Sequence, residues 1–306
     1  MPREGGAKLA KPRSTVRKVD QNRLASVTSR VMPVTAAPTL LHAMVWGRVK
    51  SGKTAFAASG PKPIMFLAER GQMTVRNVPD LQVFPLNPDG SFKKVIFKDM
   101  YDFLYYLRYA DHDRKTVSVD TMSALTRIAM KYILKDEEAR DDAREPGVAD
   151  KRTWGRLATA MIEVMEELEV ICKTRGLHLI YTAQERRLRE EDMVEDGSDV
   201  VPDFSPSVRS FIVEKPDILA RTFIEGEDDA VVQDDDPKKA LRYGMMFRDP
   251  AFYVGERITP PGASEPWLPK YDYNVTVPKL IRMIERNRDV TSQEKPVKRR
   301  PRPRQG

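Results

Sequence analysis

The stretch Gly47-Arg48-Val49-Lys50-Ser51-Gly52-Lys53-Thr54, GRVKSGKT, decides how this chain is read. It fits the pattern G-x-x-x-x-G-K-T without a mismatch, the signature of a loop that wraps phosphate groups. Ahead of it, Leu40 to Trp46 is an apolar run of strand length, and after it Ala55 to Ser59 can continue a helix. Glycine at 47 and 52 permits the tight turn that aims successive N–H groups at phosphate oxygens, and the helix that follows adds its positive end. In that setting Lys53 reaches the β- and γ-phosphates, and Thr54 offers its hydroxyl to magnesium. Residues 47 to 54 are therefore expected to bind a nucleoside triphosphate, ATP with Mg2+.

Working outward, Ile64 to Ala68 reads as a second apolar strand that closes on Glu69, with Gly71 just beyond it. Val78 to Pro85 allows a short strand. Tyr101 to Ala110 suits a helix whose Phe103, Leu104, Leu107 and aromatic neighbours pack on the sheet. Thr116 to Val119 forms a strand with Asp120 at its carboxyl end, and a helix follows from Met122 to Leu134. The acid-rich stretch from Asp136 to Asp150 reads as an exposed connection. Thr153 is the expected cap of a long amphipathic helix through Lys173, with Leu157, Met161, Met165, Leu168 and Cys172 near one face. Gly176 ends it, and Leu177 to Thr182 gives another strand that closes on Ala183 and Gln184.

A connection without regular pattern then runs to Ser207, long enough to suggest a working loop. Strands are expected at Phe211 to Val213, Leu219 to Ile224 and Tyr243 to Phe247, and a final helix at Val277 to Arg288. The succession describes an α/β fold with a mostly parallel central sheet and helices on both faces. In such sheets ligands bind at the carboxyl ends of the strands. Lys53, Glu69, Asp120 and Gln184 would all lie there. Lys53 would neutralise developing phosphate charge, and Asp120, with Thr54, would hold the metal or its water shell. Glu69 could activate the attacking water, and Gln184 could sense the γ-phosphate and pass its loss to the 185–207 loop.

This order resembles the core of RecA-like recombinase ATPases, especially the small phage-encoded members that carry little beyond it. The resemblance spans roughly residues 38 to 285. Glu69 stands where that family places a glutamate after the phosphate-loop helix and its next strand. Asp120 in TVSVDT matches the metal-associated aspartate, and Gln184 in LIYTAQ matches the glutamine that begins the DNA-responsive loop. The RYGMMF and GERI stretches look like the closing strands and the turn with a basic residue. The resemblance implies a RecA-like P-loop NTPase that binds single-stranded DNA and assembles into homo-oligomeric filaments or rings. It would couple ATP hydrolysis to recombination, annealing or replication alongside phage proteins. The sequence departs from that pattern in its 185–207 segment, where Arg186, Arg187 and Arg189, the candidate nucleic-acid contacts, are followed by a run of acids. For the basic finger that reaches a neighbouring subunit, Arg209, Arg221 and Arg257 are candidates.

Charge is distributed unevenly. Residues 1–30 carry eight Lys or Arg against two acids, and residues 295–306 carry six against none, so each end is +6. With a chain total of +7, the remainder is 7 − 12 = −5. The basic ends can attract a polyanion. The organisation expected is a basic arm over 1–37 with a short helix or docking segment at 16–31, a core over 38–290, and a basic tail over 291–306. One cysteine excludes an intramolecular disulfide, and histidines at 42, 112 and 178 offer no zinc spacing. No apolar run reaches membrane-spanning length, so a cytoplasmic protein without membrane contact is expected. Other readings of the same motifs are a ring-forming motor or loader, helicase-like or packaging-associated, and a nucleotide-controlled scaffold. A small-molecule kinase is a weaker fit, because no acceptor-binding lid is evident apart from the 185–207 loop.

Overall fold

The computed structural model describes residues 21–29, 39–69, 71–140, 145–188, 200–225, 242–249, 251–252, 254–259, 263 and 265–293. The chain divides into two units at Pro38 and Thr39. Within the first lies helix α1 (Gln21–Thr28), inside the stretch expected to be helical. The rest of the basic arm, and the tail beyond residue 293, lie outside the described residues.

The second unit opens with β1 (His42–Gly47), α2 (Lys53–Ala58), β2 (Pro63–Leu67), α3 (Gln72–Val75), β3 (Gln82–Phe84) and α4 (Phe97–Tyr109). Next come β4 (Thr116–Asp120), α5 (Met122–Glu138), α6 (Lys151–Arg175), β5 (His178–Arg187), β6 (Val200–Pro202) and α7 (Pro206–Glu214). It closes with β7 (Ile218–Ile224), β8 (Tyr243–Met246), β9 (Gly255–Glu256), β10 (Tyr271–Tyr273) and α8 (Val277–Gln293).

The strands join in the order β10-β8-β7-β1-β5-β4-β2-β3, with β6 paired to β5 and β9 to β7. From β7 to β3 every pairing along this path is parallel, and β8, β9 and β10 add antiparallel edges. All six residues of β1 are buried, as a central parallel strand covered on both faces requires. Alternation sorts its side chains. Met44 and Trp46 join the core beneath α4, α5 and α6, while Ala43 and Val45 join the core beneath α2 and α8. The chain leaves β1 for one side of the sheet and returns to its other side at β7. A topological switch point therefore sits at the carboxyl end of β1, where the phosphate loop begins.

Several local expectations are corrected. The Phe211–Val213 segment, expected as a strand, lies in α7. Pro206 sits at the start of that helix, and Val208 and Ile212, four apart, are buried. The long helix α6 is capped by Asp150, which accepts from the Thr153 N–H at 2.8 Å, so Thr153 is the third helical residue of a reciprocal cap. On α4, Phe103, Leu104 and Leu107 are buried, but Tyr101, Tyr105 and Tyr109 face outward. The 185–207 connection is also less irregular than expected. β5 continues through Arg187 and pairs antiparallel with β6, Glu185 opposite Pro202 and Arg187 opposite Val200. Among the described residues no helix is long and apolar enough to cross a membrane.

Candidate functional site

The phosphate loop leaves β1 at Gly47, whose φ of 154° is paired with a close approach to β7. A Cβ on Gly47 would stand 2.4 Å from Thr222 Oγ1 and 2.6 Å from the Thr222 carbonyl oxygen, so only glycine fits. Gly52, at φ 90°, turns the chain into α2. The loop is tied to its neighbouring strand by the Ser51 and Thr222 hydroxyls, 2.5 Å apart, and Ser51 also donates to the Arg48 carbonyl at 2.7 Å. Arg48, Val49 and Lys50 are exposed.

Lys53 is folded inward, 5% exposed. Its ammonium donates to the carbonyls of Gly47 at 2.8 Å and Arg48 at 2.5 Å. Burial lowers its pKa to about 8, against the opposing pull of Asp120, Glu69 and Glu185. The loop thus stores a cation whose carbonyl partners a phosphate could replace.

Around this loop the strand ends converge. At the end of β4, Asp120 Oδ2 accepts from the Thr54 hydroxyl at 2.9 Å and Oδ1 from the Thr182 hydroxyl at 2.5 Å. Burial pushes the Asp120 carboxyl above its ordinary range, and the two hydroxyl donors offset part of that. Glu69 lies just beyond β2. Its Oε1 accepts from Gln184 Nε2 at 2.7 Å and from the Thr121 hydroxyl at 3.1 Å. Lys53, Thr54, Glu69, Asp120 and Gln184 therefore share one cleft. Thr121 also caps α5 by accepting from the Ala124 N–H at 3.1 Å. The Asp120–Thr121 peptide is cis.

The cleft is a cavity of about 860 Å³ lined by Val49 to Phe56, Glu69, Asp120 and Gln184, together with Tyr243 to Met245 and Asn274 to Thr276. Its size falls in the range of sites that enclose a ligand as large as a nucleotide. The donor set also suits magnesium. Among the described residues no group of three or more His, Cys, Asp or Glu could hold a metal alone. Magnesium needs no such cage, because it takes one or two carboxylates, its waters and the substrate's phosphate oxygens. The Thr54 hydroxyl and the Asp120 carboxylate, already paired, are the groups that would hold it.

Beyond Gln184, Arg186 and Arg187 lie exposed on β5, while Arg189 lies outside the described residues. Arg221 is not an outward-reaching finger. It is buried, donates through Nε and Nη2 to Glu185 Oε2, both at 2.9 Å, and lies over the rings of Phe252 at 4.5 Å and Trp46 at 5.7 Å. Arg257 donates to the Lys215 and Pro216 carbonyls at the opposite end of β7 from the phosphate loop, and Arg209 donates to the Phe204 carbonyl. Tyr181 is core, fully buried.

Sequence reasoning missed Thr182, Thr121, Thr222, Tyr243 and the 274–276 turn. Thr182 alone carried a local signal, being two residues from Gln184 and hence on the same face of the strand. Residues 40–258, well over half of the chain, match the family described as AAA domain. No curated protein matches the chain.

Proposed function

The chain belongs to the AAA-domain family, and from that premise we propose that it is a magnesium-dependent ATPase of the motor or loader kind, working as a homo-oligomer on a polyanionic partner. The observation that carries this reading is the double membership of Gln184. Its side chain donates to Glu69 in the nucleotide cleft, while its backbone carbonyl accepts from the Asp203 N–H at 2.8 Å, just past β6. One residue thus belongs both to the reaction centre and to the β5–β6 hairpin that carries Arg186 and Arg187. A change at the γ-phosphate has a short covalent route to that exposed basic edge.

In the reaction, Glu69 accepts a proton from water as the water oxygen bonds to the γ-phosphorus. The bond from phosphorus to the β–γ bridging oxygen breaks, leaving ADP and phosphate. The loop N–H groups and Lys53 stabilise the charge that spreads over the phosphate oxygens. Magnesium held by the Thr54 hydroxyl and the Asp120 carboxylate would supply further neutralisation of the phosphate charge. Gln184 holds Glu69 in place and registers departure of the phosphate.

A second reading is an ATP-dependent single-strand DNA-binding protein of the RecA-like type, acting in phage recombination, annealing or replication. Its support is the position of Glu69 beside β2, rather than directly after Asp120, together with exposed Arg186 and Arg187 next to Gln184. ATP turnover measured alone, with single strands and with duplex, tests both readings against Lys53→Ala and Glu69→Gln. Glu69→Gln is expected to keep nucleotide affinity and lose about 100-fold or more in turnover. Full turnover in that variant would remove the base assignment. ATP-driven translocation or unwinding supports a motor, and annealing without movement supports the second reading.

A further inference from the structure

Resting on the ATPase reading above, we infer that Arg127 is a positioning residue through which the β5–β6 hairpin sets the orientation of the Glu69 carboxylate. Arg127 stands on the second turn of α5, the helix that starts directly after Asp120 and Thr121. Its guanidinium spans two acids from different parts of the sheet. Nη1 donates to Asp203 Oδ2 at 3.1 Å, and Nη2 lies 3.7 Å from Glu69 Oε2.

The division of labour on Glu69 gives this bridge its meaning. Thr121 and Gln184 both donate to Oε1. Oε2 is left as the oxygen that can take a proton from water, and Arg127 is the cation facing it. At 3.7 Å the guanidinium is too far for a good hydrogen bond to Oε2, because its shorter contact is to Asp203. Asp203 therefore fixes the distance at which Arg127 faces Glu69. Asp203 is itself fastened to the hairpin, since it follows β6 and its N–H bonds the Gln184 carbonyl at 2.8 Å.

The bridge is half exposed, with Arg127 at 54%, Glu69 at 31% and Asp203 at 30% of side-chain surface. Exposed pairs of this kind contribute little to stability. Their effect here is on geometry. If a partner on the basic face of β5 shifts β6, Asp203 and Arg127 move with it, and Oε2 loses the cation that orients it for the attacking water. The same bridge works in reverse, because a shift of Glu69 on phosphate release alters the hold on Asp203. Partner occupancy and turnover are thereby linked through one side chain that need not touch the nucleotide.

The test is steady-state ATP turnover by the full chain carrying Arg127→Gln, Arg127→Lys, Asp203→Asn and the Arg127→Gln/Asp203→Asn pair. Arg127→Gln is expected to lower kcat about tenfold, as misplacement of a reacting group does, with KM for ATP within about twofold. Arg127→Lys keeps the charge without the fork and recovers part of the loss. Asp203→Asn lowers kcat when Arg127 is present and has no further effect in the Arg127→Gln chain, a non-additivity that a general loss of structure would not produce. In the Glu69→Gln chain, Arg127→Gln should change nothing more. An Arg127→Gln enzyme with native kcat, or losses from Arg127→Gln and Asp203→Asn that multiply, would overturn the inference while leaving the ATPase reading intact. A native chain that binds ATP without turning it over would overturn both.

Discussion

On the proposed ATPase reading, the buried Lys53 should make nucleotide binding depend on pH in a window set by its environment. In the free protein its pKa is lowered to about 8 by burial. A bound triphosphate would replace the Gly47 and Arg48 carbonyls with anionic oxygens, favouring the charged amine and raising its pKa in the complex. The sign follows. Below about pH 8 the free lysine is already charged, and binding takes up no proton there. Above it, binding must first protonate the amine, so affinity falls as pH rises. With a pKa of about 8 the charged fraction is about 0.9 at pH 7 and about 0.03 at pH 9.5. Affinity should weaken about 30-fold across that interval, or about 2 kcal/mol. The triphosphate's own last ionisation, near pH 6 for a phosphate monoester, lies below the window. Titration calorimetry with a non-hydrolysable triphosphate and magnesium at constant ionic strength measures the slope, and buffers of different ionisation enthalpy count the proton. A Lys53→Gln chain should bind more weakly and without the slope. Constant affinity of the native chain from pH 7 to 9.5, or the same slope in Lys53→Gln, would refute the argument.

Two further outcomes follow from the packing around the loop. Gly47→Ala should lose about 3 kcal/mol or more in thermal or urea unfolding and lose nucleotide binding, because its Cβ meets both the side chain and the backbone of Thr222. Adding Thr222→Ala should not rescue it, since the carbonyl contact remains. Arg221→Met should cost about 3 kcal/mol by removing the cation that pairs with the mostly buried Glu185, and an Arg221→Met/Glu185→Met pair should recover part of that loss. Purely additive losses in urea unfolding would show that the pair is not coupled.

The nucleotide end of the fold was legible because its signals are local. A complete phosphate-loop pattern between an apolar strand and a helix needs no knowledge of neighbours, and Glu69, Asp120 and Gln184 each follow a recognisable strand. Their meeting in one cleft came from the rule that parallel strands gather ligands at their carboxyl ends. What was lost depended on pairing across the chain. The strand character of Glu185 to Arg187 comes from β6, whose residues Val200 to Pro202 are too few to stand out. Phe211-Ile212-Val213 looked extended because of its short apolar run, whereas the spacing of Val208 and Ile212 under a proline start was the better guide. Arg221 looked like any strand arginine, and only its register beside Trp46 shows it as part of the wall. The Tyr243 and 274–276 walls had no motif, since shape rather than chemistry places them.

The cavity wall runs from Val49 to Thr276 in the sequence, and this imposes an order on biosynthesis. A nascent polypeptide that has already emerged through its phosphate loop still lacks the part of the wall formed by Tyr243 to Met245 and Asn274 to Thr276. Full nucleotide grip therefore waits until the ribosome has released residues close to the start of α8. A chain stalled before that point would be an incomplete vessel, its cleft open where the last wall belongs.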